Sequence, residues 1–207
     1  YDWLLCDEAH RIPDAVRSSS AVRVGAESGP GLFGPRVLQG FAPLLRAQSV
    51  PVEELQAHAS RAREELRTLF TALPLLLPRG GELSAPNEEL LHRGQAAAEE
   101  ADLLLRPLRA FEERFMAGNF SDKGEMARGA ELMRWIDDVR EFKRDLIWCL
   151  SAARFPSWAY WAESGALTSK PVAASEIVQE VLQKEAPEKL VLTSATLTQG
   201  GSFDFWR

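Results

Sequence analysis

The stretch Trp3-Leu4-Leu5-Cys6-Asp7-Glu8-Ala9-His10 decides how the chain is read. A continuous apolar run of this length reads as a strand buried on both faces of a parallel sheet. It ends directly in two carboxylates, and the carboxyl end of a buried strand is where open α/β sheets place ligand chemistry. A second run, Leu190-Val191-Leu192, lies near the other end and leads into Thr193-Ser194-Ala195-Thr196-Leu197. Before it, Ile177, Val178, Val181 and Leu182 recur at helical spacing, so a helix followed by a buried strand is expected, half of a βαβ unit. Both motifs sit at the same end of strands fit to lie side by side. Glu8 and Ser194 are 186 residues apart, far more than one crossover helix needs, so the segment between them reads as an inserted domain.

That segment has a different character. Val52, Leu55, Ala59, Ala62, Leu66, Leu69 and Leu73 alternate in steps of three and four, predicting a helix over 51–73 that Pro74 ends. Residues 87–117 repeat the scheme through Leu90, Ala97, Ala101, Leu104, Leu108, Phe111 and Phe115, after an Asn87-Glu88-Glu89 start suited to a helix N-terminus. Pro107 should kink that helix, because its ring clashes with the carbonyl of Leu103. A third helix is predicted over 124–152, with Leu132, Ile136, Val139, Leu146 and Leu150 on one stripe and Trp135, Phe142 and Cys149 on another. Shorter readings are a helix over 13–23, a glycine-rich loop over 28–34, a weaker helix over 35–47, and a hairpin of 158–161 with 166–168 turning at Ser164-Gly165. The fold class is mostly α with a partial α/β element at the termini.

Composition bounds the function without revealing it. The chain has 207 residues, 45% hydrophobic and 26% charged, with a net charge of −6, so it is no obvious nucleic-acid clamp. Residues 11–155 carry 20 basic and 21 acidic side chains, which leaves the insertion near neutral. Cys6 and Cys149 stand far apart without a CxxC pattern, which excludes a cysteine-ligated metal site built from this sequence. Neither a membrane-spanning run nor a secretion signal is found, so the expected compartment is cytoplasmic and no membrane partner is expected.

The two motifs have a definite chemical reading. Asp7 could hold a magnesium ion, and Glu8 could orient and polarise the water that attacks a γ-phosphate. Alternatively, both acids begin a solvated turn before a helix. The hydroxyls of Thr193-Ser194-Ala195-Thr196 could carry a hydrogen-bond network from a nucleotide site to a moving element, or serve as turn formers and N-caps. Together, Asp7-Glu8-Ala9-His10 and Thr193-Ser194-Ala195-Thr196-Leu197, followed by Gly201-Ser202-Phe203-Asp204-Phe205-Trp206-Arg207, resemble motifs II and III of the DinG/XPD branch of superfamily 2 DNA helicases. Asp7 through Pro13, and Lys170-Pro171-Val172-Ala173-Ala174-Ser175, also look like DinG.

The resemblance implies a segment of an ATP-dependent DNA helicase. Residues 1–22 would belong to a partial RecA-like motor, 23–155 to a helical arch insertion enclosing single-stranded DNA, and 156–207 to the return into the motor. Asp7, Glu8 and His10 would be its catalytic residues, with Asp7 the metal ligand, and Ser194, Ala195 and Thr196 the coupling motif. ATP and Mg2+ would serve the full-length protein, in partnership with the remaining motor domains. No GxxxxGK[ST] loop occurs in the 207 residues, so this chain alone is expected to bind no cofactor and to hydrolyse no ATP. The family's iron–sulfur cysteines precede motif II, so Cys6 and Cys149 do not report on a cluster.

Candidate DNA contacts are Lys143, Arg144, Arg154 and Trp158, among basic and aromatic residues of the third helix and beyond. Asp137, Asp138, Glu141 and Asp145 lie among them, which favours a solvated helix laced with ion pairs. Lys143 falls on the apolar stripe and must snorkel out or face a cavity. His58 and His92 read as surface residues. With few phosphate contacts on offer, the isolated chain is expected to bind single-stranded DNA weakly and in a salt-sensitive way. The rival reading is a non-enzymatic helical interaction module whose amphipathic helices serve partner proteins.

Overall fold

The computed structural model describes residues 3–77, 81–83, 87–118, 122–151, 154–163, 165–185 and 189–194. It is mostly helical with little sheet, as the periodicities require. Strand β1 (Trp3–Cys6) leads through a 3-10 turn (Ala9–Arg11) into α1 (Ile12–Ser19), then β2 (Val22–Gly25), a short α2 (Ser28–Leu32), α3 (Pro35–Ala47) and α4 (Val52–Leu76). Next come α5 (Glu88–Leu105), a 3-10 turn (Arg106–Leu108), α6 (Arg109–Met116) and α7 (Lys123–Leu150). The hairpin strands β3 (Trp158–Glu163) and β4 (Ala166–Pro171) precede α8 (Ser175–Glu185) and β5 (Lys189–Leu192). The chain forms two compact units: residues up to Ala21, Pro156–Ala159 and those from Lys170 onward make one, and Val22–Phe155 with Tyr160–Ser169 the other. Residues 160–169 of the hairpin thus cluster with the helices, whereas the sequence groups all of 156–207 together.

In the larger unit, α4 packs on α5 and α5 on α7. The stripe read from the sequence is the buried one: Leu55, Leu66, Leu69, Leu90, Leu104, Phe111, Leu132, Ile136 and Leu146 are all fully inside. Each such side chain contributes about 1.5–3 kcal/mol relative to leaving it in water. The second stripe of α7 is also covered. Trp135 is 5% exposed and donates its indole N–H to the carbonyl of Leu32 at 3.0 Å, and Cys149 is buried. Gly94 lets α5 approach α7 closely, since a Cβ there would lie 2.0 Å from Leu150 Cδ1.

Several local expectations are corrected. Pro74 does not end α4, which continues to Leu76, and the Leu77 amide still reaches the Leu73 carbonyl at 3.1 Å. A proline so near a helix end forfeits a single donor. Pro107 does break its helix, which passes through the 3-10 turn between α5 and α6. The predicted N-terminus of α5 is real, with Asn87 Oδ1 accepting from the Leu90 amide at 3.1 Å. The predicted helix over 13–23 stops at Ser19, and Val22–Gly25 forms a strand, antiparallel to β4 in a sheet of order β2-β4-β3. Four residues are too few to show a period. The glycine-rich stretch forms α2, held by tertiary packing: Phe33 is 2% exposed and meets Phe142 edge-on. His58 is not on the surface. Its side chain is 12% exposed, and Nδ1 lies 2.6 Å from Glu100 Oε2. Arg61 Nε donates to Glu100 Oε1 at 2.8 Å, joining α4 to α5. His92 is exposed, as expected.

In the smaller unit β1 and β5 are parallel neighbours, with Trp3 opposite Lys189, Leu4 opposite Leu190, Leu5 opposite Val191 and Cys6 opposite Leu192. Helix α1 packs on α8. The strands are not buried on both faces. Trp3 is 61% and Leu5 68% exposed, because the sheet has only two strands among the described residues. Lys189 Nζ covers the Trp3 ring in part, 4.3 Å from its centroid.

Candidate functional site

The parallel register carries the two motifs into contact. Beyond the last paired residues, the Thr193 amide donates to the Cys6 carbonyl and the Ala9 amide to the Thr193 carbonyl, both at 2.9 Å. This clamps Asp7-Glu8-Ala9 against Thr193-Ser194. Thr193 Oγ1 donates to Asp7 Oδ1 at 2.7 Å, and the Glu8 amide donates to the same oxygen at 2.9 Å. The Thr193 hydroxyl and then the Glu8 amide hold the Asp7 carboxyl below the usual carboxylate range. Asp7 therefore stays ionised, and its Oδ2 is left without a protein partner among the described residues.

Glu8 adopts a left-handed backbone, φ 52° and ψ 43°, a conformation that costs a residue with a Cβ about 1–2 kcal/mol. The turn lets the chain leave β1 and start the 3-10 turn at once, so that His10 comes back over the strand end. His10 Nδ1 lies 2.6 Å from Ser194 Oγ and 3.1 Å from Glu8 Oε2. One ring nitrogen thus faces a hydroxyl and a carboxylate together. When Nδ1 carries no proton it accepts from Ser194, and when it is protonated it donates to Glu8 or Ser194.

The candidates divide cleanly. Asp7, Glu8, His10 and Ser194 are brought together; Ala195 and Thr196 lie outside the described residues. Thr193, which the sequence offers only as one hydroxyl of its motif, is the one that meets Asp7. Its signal was available, because a register that pairs Cys6 with Leu192 puts the next residue of β5 beside Asp7. Among the DNA-contact candidates, Lys143 does snorkel, and Nζ reaches Asp102 Oδ1 at 2.5 Å. Arg144 is held by Glu141 at 2.9 Å and Asp145 at 3.0 Å. Both cations are therefore engaged within the helical unit. Arg154 is exposed and Trp158 half-buried.

Among the described residues no three His, Cys, Asp or Glu side chains converge on a point where a metal could be enclosed. Asp7 fits the other kind of site, in which Mg2+ is held by one or two carboxylates and by the phosphates of its substrate. Among the described residues, no helix is long and apolar enough to cross a membrane. No family model matches the chain, and no curated protein matches it.

Proposed function

We propose that the chain is a segment of an ATP-dependent DNA helicase of the DinG/XPD type, acting in the cytoplasm on single-stranded DNA. In this reading the smaller unit belongs to a RecA-like motor and the helices of the larger unit are the arch that encloses the strand. One observation carries it: two motifs 186 residues apart meet at the carboxyl ends of adjacent parallel strands, with Thr193 Oγ1 on Asp7 and Ser194 Oγ beside His10. A coincidence of acidic and hydroxyl turns would not demand that register.

In the full-length protein, bound Mg2+ would neutralise phosphate charge, and Asp7 would be the side chain that holds it. Thr193 keeps Asp7 ionised and aimed. Glu8, with Oε2 facing His10, leaves Oε1 to accept a hydrogen bond from the attacking water. A change in the charge on Glu8 alters its pull on His10 Nδ1, and with it the bond to Ser194. This is a route by which the nucleotide state reaches β5. The lysine-bearing phosphate loop would come from another part of the parent.

The test uses the full-length protein. Glu8→Gln should reduce DNA-stimulated ATP turnover by about a hundredfold or more while nucleotide binding persists, as loss of a water-orienting group requires. Turnover near that of the parent would reject the assignment of Glu8 and leave the chain to be read as a helical interaction module.

A further inference from the structure

A cleft of about 420 Å3 in the larger unit is lined by Ala26, Arg63, Arg67, Phe70 and Thr71. Arg63 and Arg67 are one turn apart on α4, so both guanidinium groups reach the same face. Several arginines of this unit give a measure of ordinary pairing. Arg61, Arg93, Arg140 and Arg144 each meet a carboxylate at 2.6–2.9 Å. Arg63 Nε is buried and has no hydrogen-bond partner among the described residues. The nearest carboxylate to Arg67 is Glu64 at 3.8 Å, outside hydrogen-bond range, with both side chains largely exposed.

The remaining polar groups of the cleft are already committed. The Ala26 amide donates to the Gly165 carbonyl at 3.0 Å, and the Thr71 hydroxyl donates to the Arg67 carbonyl at 2.7 Å. Among the described lining residues the free donors are therefore guanidinium N–H groups, and the lining includes the buried Phe70. A buried donor without an acceptor is costly, and the planar fork of arginine matches the oxygens of phosphate in a bidentate way. Glu27 and Glu64, both exposed, lie on α4 or beside Ala26 in sequence and disfavour a ligand held by charge alone. Directed hydrogen bonds to two or more oxygens are what the cleft can offer.

We propose that Arg63 and Arg67 form a binding site for a phosphate group, either free or carried by the backbone of a single strand. Both arginines stand on α4, and the site does not depend on the helicase reading. It is tested on the 207-residue chain by following the arginine Nε–H resonances during titration with pyrophosphate, and then with an oligothymidylate. The Arg63 resonance should shift saturably. The pair Arg63→Gln with Arg67→Gln should weaken pyrophosphate binding about tenfold or more. Arg63→Lys, which keeps the charge and loses the fork, should also weaken it. Arg128→Gln, a charge-matched change outside the cleft, should leave it unaltered. If the double variant does not fold by circular dichroism, Arg67→Gln alone supplies the reading, since that side chain is largely exposed. Saturation of the same resonances by the oligonucleotide, in competition with pyrophosphate, assigns the phosphate to a strand; a response to pyrophosphate alone assigns it to a free ligand. An unmoved Arg63 resonance, or equal weakening by Arg128→Gln, overturns the site.

Discussion

The helical unit and the paired terminal strands are built by opposite rules. In the helices, Leu55, Leu66, Leu104, Phe111 and Ile136 are fully buried, and Lys143, which falls on the apolar stripe, is paired with Asp102 within the unit. In the strand pair, Trp3, Leu5, Leu190 and Val191 are exposed, while the polar side chains at the strand ends are bonded to one another across a gap of more than 180 residues in sequence. A two-stranded sheet is marginal on its own. The difference teaches that apolar burial and polar pairing are separated in this molecule. Apolar burial holds the helices, and a register holds the site.

The largest effect that would test the separation is on stability. Phe111→Ala should cost about 3–5 kcal/mol in urea unfolding followed by helical circular dichroism. Trp3→Ser should change the same transition by about 0.5 kcal/mol or less, as for a surface position. Similar costs for the two would erase the distinction.

A smaller effect concerns pH. Burial opposes ionisation of Glu100, but the hydrogen bonds and charges of Arg61 and His58 outweigh it and hold the carboxyl below its usual value of 4.5. A carboxylate lowered in the folded state contributes stability that is complete above the unfolded value and is lost as pH falls through the folded one. The urea midpoint of the helical transition should therefore fall below about pH 4.5, and Glu100→Gln should flatten that part of the profile. An unchanged profile in the variant would show that this cluster does not tie α4 to α5.

The smallest effect is on thiol reactivity. Burial, opposed by a hydrogen bond from Ser169 and reinforced by Asp145, pushes the Cys149 thiol up to about 12. Cys6 is only half-buried on β1. An aromatic disulfide reagent near neutral pH should label Cys6 in the native chain and reach Cys149 only on unfolding. Equal labelling rates would place the two cysteines in like surroundings.

How much of this was legible depended on the range of the signal. The three long helices could be read because spacings such as Leu55, Ala59, Ala62 and Leu66 repeat over many turns. The proximity of Asp7 and Ser194 could be read because both motifs end apolar runs at the same point of a strand. Strand β2 could not: Val22, Arg23 and Val24 offer one alternation, and its partner β4 lies far along the chain. The ion pair of His58 with Glu100 was hidden for the same reason, since no periodicity announces a partner 42 residues away. For Lys143 the need to escape the apolar stripe was evident, and its partner Asp102 was not. In the site itself, the contact of Thr193 with Asp7 became visible only once the register of β1 on β5 was known.

The central claim is that β1 and β5 join a hydrolytic motif to a coupling motif. The most direct test is Ser194→Ala in the full-length protein, with ATP turnover and strand separation measured on one DNA substrate. The account predicts that turnover stays close to that of the parent while strand separation per ATP falls about tenfold, within the usual range of a coupling free energy. Strand separation per ATP equal to that of the parent would contradict it.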